Sequence, residues 1–160
     1  MSFVVRQLIN DYAYVSFYNE LVREAVRLWR DDRASALQRY GNSNNWDVSK
    51  VIDMSSLFRF TSFNDSIDRW DVRNVTSMKE MFRGASRFHQ SPSTWDVGRV
   101  TNMEVLCYSS LSFDQPLTSW NVSQVTTMTR MFVGASSFHP SLSIWNVSRV
   151  TDMAEYVYWA

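Results

Sequence analysis

Residues 70–94 read WDVRNVTSMKEMFRGASRFHQSPST, residues 95–119 read WDVGRVTNMEVLCYSSLSFDQPLTS, and residues 120–144 read WNVSQVTTMTRMFVGASSFHPSLSI. These three segments align residue for residue from their tryptophans. Working outward, WDVSKVIDMSSLFRFTSFNDSIDR at 46–69 is the same unit, one residue shorter between Arg59 and Phe63, and WNVSRVTDMAEYVYWA at 145–160 is a partial copy. Trp46, Trp70, Trp95, Trp120 and Trp145 therefore head five units spaced 24, 25, 25 and 25 residues apart. A fixed period of this length is the signature of an array in which neighbours complete one another's core.

Numbering each unit from its Trp, positions 3 and 6 are always Val and position 9 is always Met. Position 12 is Leu57, Met81, Leu106, Met131 and Tyr156, and position 13 is Phe58, Phe82, Cys107, Phe132 and Val157. Further on come Phe63, Phe88, Phe113 and Phe138, then Ile67, Pro92, Leu117 and Leu142. These apolar positions predict one shared core. The alternation in Leu117-x-x-Trp120-x-Val122 predicts a short strand. Apolar residues three apart in Val-Thr-x-Met-x-x-Met-Phe predict a short helix. Thr76, Thr101, Thr126 and Thr151 would be its N-caps, Thr101 and Glu104 would form a capping box, and Gly84-Ala85 and Gly134-Ala135 would close it. The fold class expected is α/β: a right-handed, leucine-rich-repeat-like solenoid of short parallel strands and short helices. Residues 1–45 would form an N-terminal helical cap. Residues 46–160 would form four full repeats and one partial repeat.

Within the cap, residues from Ser16 to about Trp29 place Phe17, Leu21, Ala25, Leu28 and Trp29 on one face of a helix. Asp31-Asp32 then caps a second helix ending at Tyr40-Gly41. At the other end, Tyr156-Val157-Tyr158-Trp159-Ala160 forms either a minimal cap or an apolar contact surface.

The unit W-[DN]-V-x-x-V-T-x-M-x-x-M-F-x-G-A-S-x-F resembles the BspA-type leucine-rich-repeat surface proteins, and more closely their 25-residue subfamily, a domain of unknown function in bacterial surface lipoproteins. The resemblance covers residues 46–160. It implies surface attachment and partner binding, and brings no enzymatic activity with it. The first fifteen residues lack a basic start, an apolar stretch and a small-residue cleavage site, so neither a signal peptide nor an anchor is read. That favours a cytoplasmic or particle-assembled protein over a cell-surface one.

Composition agrees with a folded chain. Hydrophobic residues make up 45% of the 160, and 16 basic residues balance 16 acidic ones. A neutral chain predicts no nucleic-acid partner, and no apolar run is long enough to span a membrane. Lys50 and Lys79 are the only lysines, so the positive charge is almost all arginine. Cys107 is the single cysteine, expected buried and inert.

His89 and His139 share position 20 and read as polar turn residues rather than zinc ligands. Asp47, Asp71 and Asp96 share position 2, continued by Asn121 and Asn146; they either cap turns or hold a cation. Lys50, Arg99 and Arg149 at position 5 read as a solvated face. Four glycosylation sequons, at Asn64, Asn74, Asn121 and Asn146, carry weight only in a secreted chain. No catalytic residue, cofactor or metal is expected.

The function expected is a protein–protein interaction or structural module, a component of a larger assembly such as a large-DNA-virus particle. The alternative is an adhesin-like or receptor-binding surface protein, and a cation-binding repeat protein is a third reading. Candidate partner-binding residues are Arg59 and Arg83 at position 14, Arg130 and Glu155 at position 11, and the terminal Tyr158 and Trp159.

Overall fold

A computed structural model describes residues 17–139 and 141–155. Helix α1 spans Asn19–Asp31 and helix α2 spans Arg33–Tyr40, followed by one 3-10 turn at Ser43–Asn45. Asp32 ends the first helix and starts the second: its side chain accepts from the Ser35 N–H at 3.1 Å and the Ser35 hydroxyl at 2.6 Å. Gly41, at φ 69°, returns its N–H to the Leu37 carbonyl and closes α2. Helix α1 buries Val22, Ala25 and Val26 against the first unit, with Leu21, Leu28 and Trp29 packed at the margin. Phe17, just before it, stacks on Trp46 at 4.8 Å, and Tyr40 meets the same indole edge-on at 6.3 Å.

Beyond residue 45 the expected α/β solenoid does not form. Among the described residues no strand is present, and no helix follows the 3-10 turn. The leucine-rich-repeat reading is corrected with it. Sheet-like pairing shrinks to one parallel bridge per unit at position 8: Asp53 with Ser77, Ser77 with Asn102, Asn102 with Thr127, and Thr127 with Asp152.

The backbone hydrogen bonds give the reason. From position 9 on, alternate N–H groups leave the unit. Met54, Ser56, Phe58 and Phe60 donate to the carbonyls of Ser77, Lys79, Met81 and Arg83 in the next unit. The N–H groups between them close tight turns within the unit, Leu57 to Met54, Arg59 to Ser56 and Thr61 to Phe58. A helix needs every N–H to reach back four residues; here half of them serve the neighbour instead. The chain can alternate in this way because positions 11 and 15 turn left-handed. Ser56, Glu80, Val105, Arg130 and Glu155 have φ of 52–60°, as do Phe60 and Ser109 at 53°, with Gly84 at 64° and Gly134 at 70°. Val105 is β-branched, for which this region is strained by about 1–3 kcal/mol.

The threonines also act differently from helix caps. Thr76, Thr101, Thr126 and Thr151 each donate both N–H and hydroxyl to the position-7 carbonyl of the preceding unit, the hydroxyls at 3.1–3.2 Å. Turn capping falls one residue later, where Asp53, Asn102 and Asp152 accept the N–H two residues on, at 2.9–3.1 Å. The predicted Leu117–Val122 strand is a turn, Trp120 N–H to Leu117 carbonyl at 3.1 Å.

The core consists of columns of equivalent side chains. Trp46, Trp70, Trp95 and Trp120 stack at 6.0, 6.3 and 6.4 Å, with successive ring planes 21°, 4° and 6° apart. Each indole N–H from Trp70 onward finds the carbonyl three residues before the previous Trp: Ser43, Ile67, Pro92 and Leu117, at 2.7–3.0 Å. Burying an aromatic ring with its polar edge satisfied is the favourable way to place Trp in a core. A second column runs Phe63, Phe88, Phe113, Phe138, with Phe58, Phe82 and Phe132 stacked beside it at 3.9–4.2 Å. Cys107 takes the third place in that inner row and is fully buried, which pushes its thiol pKa up.

Candidate functional site: an arginine–aromatic face

Side chains at positions 14 and 15 project from the tight turns to one side of the stack. Arg59 lies over the Phe60 ring at 5.0 Å, Arg83 over the same ring at 5.5 Å, and Arg83 also over the Tyr108 ring at 5.5 Å. Guanidinium and ring therefore alternate across three units. The next unit fixes Phe60 in place: its N–H donates to the Arg83 carbonyl at 2.8 Å, and its ring packs on Gly84, where a methyl would lie 2.3 Å from Phe60 Cδ1. Phe60 is nonetheless 62% exposed, an unusual position for a ring that no core column needs.

Glu80 anchors the two cations. Its carboxylate takes Arg59 at 3.0 Å and Arg83 at 3.0 Å, and its side chain is only 15% exposed. Two guanidiniums on one carboxylate leave the face net positive. The Arg83 Nε is buried without a hydrogen-bond partner, and its guanidinium carbon lies 5.5 Å from each of the Phe60 and Tyr108 ring centroids.

The structure thus brings Arg59 and Arg83 together, as neighbours on one face. Arg130 and Glu155 form a separate ion pair at 2.6 Å between half-exposed side chains further along the stack. Tyr158 and Trp159 lie outside the described residues. Sequence reasoning missed Phe60, Tyr108 and Glu80. One signal was available: Phe60 stands at a position that is otherwise Gly84, Ser109 and Gly134.

The remaining candidates have structural partners. Asp71 and Asp96 accept the N–H of Arg73 at 3.2 Å and of Gly98 at 3.0 Å, the turn-capping role, as do Asp47, Asn121 and Asn146 at their own turns. The Arg73 fork holds the Asp71 carboxyl below its ordinary pKa. His89 and His139 bind backbone carbonyls two residues earlier through Nδ1. At position 5, Asn74 accepts from Arg99 at 2.9 Å and Gln124 accepts from Arg149. Among the described residues no group of three or more His, Cys, Asp or Glu is placed to hold a metal. Nor is any helix among them long and apolar enough to cross a membrane.

In-register turns, columns of like side chains and a laterally displayed ladder define a stacked repeat protein. The family model described as "Mycoplasma protein of unknown function, DUF285" matches residues 31–139 and, in a second placement, 59–160. The chain belongs to that family, which is the BspA-like repeat family. No curated protein and no solved structure matches the chain.

Proposed function

We propose that this chain is a non-catalytic repeat protein that binds other proteins through the Arg59–Phe60–Arg83–Tyr108 face, as a component of a larger assembly. The observation that carries the reading is Phe60: a large ring packed on Gly84 of the next unit, left open to solvent and bracketed by two guanidiniums. Arginine and aromatic side chains dominate protein interfaces energetically: a ring adds contact area at low entropic cost, and a guanidinium adds a planar fork of hydrogen-bond donors. Their stacking here orders them before a partner arrives, which lowers the cost of binding. The partner that fits would present carboxylates to Arg59 and Arg83 around an apolar recess for Phe60.

Photo-crosslinking in the native source tests this. A crosslinking residue at position 60 should give one discrete adduct, lost on Tyr108→Ala. The same residue at Thr118, exposed elsewhere on the stack, should give none. Equal adducts from both positions, or none from either, would refute the reading. A surface binder is the second reading, and membership of the BspA-like repeat family favours it. Fractionation separates the two: co-sedimentation with a particle supports the assembly, and recovery with the cell envelope supports the surface protein.

A further inference from the structure

A cleft of about 200 Å³ lies between α1 and the first unit, lined by Arg23, Arg27, Arg30 and Arg59 together with Ser56 and Thr61. Its arginines come from two sources. Arg23, Arg27 and Arg30 recur at i, i+4 and i+7, one stripe of α1, and Arg59 faces them from the turn of the first unit. Like charges in this arrangement repel, by a few tenths of a kcal/mol for each exposed helical pair. The chain spends carboxylates on only part of the cluster. Arg23 is fixed by Asp53, at 2.9 Å, and by the Asp53 and Ser55 carbonyls, so it forms a rigid wall. Arg30 pairs with its exposed neighbour Asp31, and Arg59 shares Glu80 with Arg83. Arg27 makes no hydrogen bond or ion pair to another described residue. Four arginines thus line the cleft against Asp53, Asp31 and a Glu80 shared with Arg83 outside it, an excess of between one and two positive charges on a chain whose formal net charge is +0.

We infer that this cleft is an oxyanion site that takes a phosphate-type group. Arginine forks match phosphate oxygens in pairs. A phosphate monoester carries about −1.5 to −2 charges near neutral pH, which balances the excess. The volume suits a single such group and falls below that of most small-molecule pockets. Arg27 and Arg30 would close on the anion, with Arg23 as the fixed wall. The cleft shares Arg59 with the interaction face, and the inference does not otherwise rest on that reading.

Calorimetric titration of the full chain tests it, using inorganic phosphate and O-phospho-L-serine at matched ionic strength with sodium acetate as control. Saturable one-to-one binding of a phosphate species is expected, with acetate much weaker. Arg27→Gln and Arg30→Gln should each weaken it roughly tenfold or more, and Arg99→Gln, on another side of the stack, should leave it unchanged. Binding of inorganic phosphate alone identifies a free-ion site, and equal or tighter binding of phosphoserine identifies a phosphorylated side chain. No saturable binding of either, or undiminished affinity in the Arg27→Gln/Arg30→Gln double variant, overturns the inference. If a variant unfolds, amide shifts of the unaltered protein decide: movement confined to residues 23–30 and 55–61 on adding phosphate supports the site, and movement elsewhere or none overturns it. Tyr108→Ala should abolish the crosslink at position 60 yet keep phosphate affinity, so the two readings fail separately.

Discussion

Gly84→Ala probes the fold and the proposed face in one change. Gly84 sits at φ 64°, and a left-handed conformation costs an L-residue about 1–2 kcal/mol. Replacing glycine also removes freedom from the unfolded chain, which offsets about 0.4–1 kcal/mol. The added methyl would lie 2.3 and 2.6 Å from two carbons of the Phe60 ring, far inside contact distance. The ring is exposed and can swing away, at the cost of its stacking with Arg59 and Arg83, about 0.5–1 kcal/mol for each exposed cation–π contact. Gly84→Ala should therefore destabilise by about 1–3.5 kcal/mol in urea denaturation, with at least about 1 kcal/mol of that due to Phe60. In a Phe60→Ala background the ring contribution vanishes, so the double-mutant cycle should show a coupling of about 1 kcal/mol. The same variant should weaken the crosslink at position 60, because the ring is displaced. Additive effects in the cycle would refute the packing of Phe60 on Gly84, and with it the ordered display on which the proposed face depends.

Other consequences follow from the core and its charges. Trp95→Phe removes one of the two hydrogen bonds that the Ile67 carbonyl accepts, the Trp70 N–H keeping the other, and opens a small void, and should cost about 1–3 kcal/mol by urea denaturation. Trp145→Phe should likewise cost about 1–3 kcal/mol, because that indole is buried too and donates to the Leu117 carbonyl, and a cost near zero would contradict the shared core. Cys107 should resist a thiol reagent at pH 8 until the protein opens, so its labelling rate should rise with urea; immediate stoichiometric labelling would contradict its burial. For Asp53, burial pushes the carboxyl pKa up, but hydrogen bonds from Ser55 and the charge of Arg23 outweigh it, and the folded value is lowered from 3.8. The folded state thus holds the charge more tightly than the unfolded chain. This stabilisation is complete above the unfolded value and is lost as pH falls through the folded one. Asp53→Asn should lower stability at pH 7 and flatten its decline below about pH 4, and an unchanged acid limb would contradict the pairing.

Much of the core can be read from the letters alone. The period of the tryptophans marks a column, and the apolar letters at positions 3, 6, 9, 12 and 13 mark side chains that are buried in the interior units. Asp32 and Gly41 announce the limits of the second helix. The backbone path through the units is not legible in the same way. Met78-x-x-Met81-Phe82 has the spacing of a helical face, and a series of tight turns that sends alternate N–H groups to a neighbour produces the same spacing. The left-handed residues that decide between them include Glu80, Val105 and Arg130, letters that carry no turn signal. The candidate face was half visible for the same reason. Arg59 and Arg83 stood out as charged and variable, but their stacking on Phe60 and Tyr108 depends on a turn geometry that composition does not encode.

The most direct test is the sign of φ at position 11, measured in solution by nuclear Overhauser effects. Left-handed Ser56, Glu80, Val105 and Arg130 should each show a strong amide-to-α-proton effect within the residue, together with cross-unit contacts from the Phe60 ring to the Gly84 α-protons. Weak intraresidue effects, with unbroken sequential amide–amide contacts through residues 77–83, would mark a helix in the unit and contradict the turn-built stack.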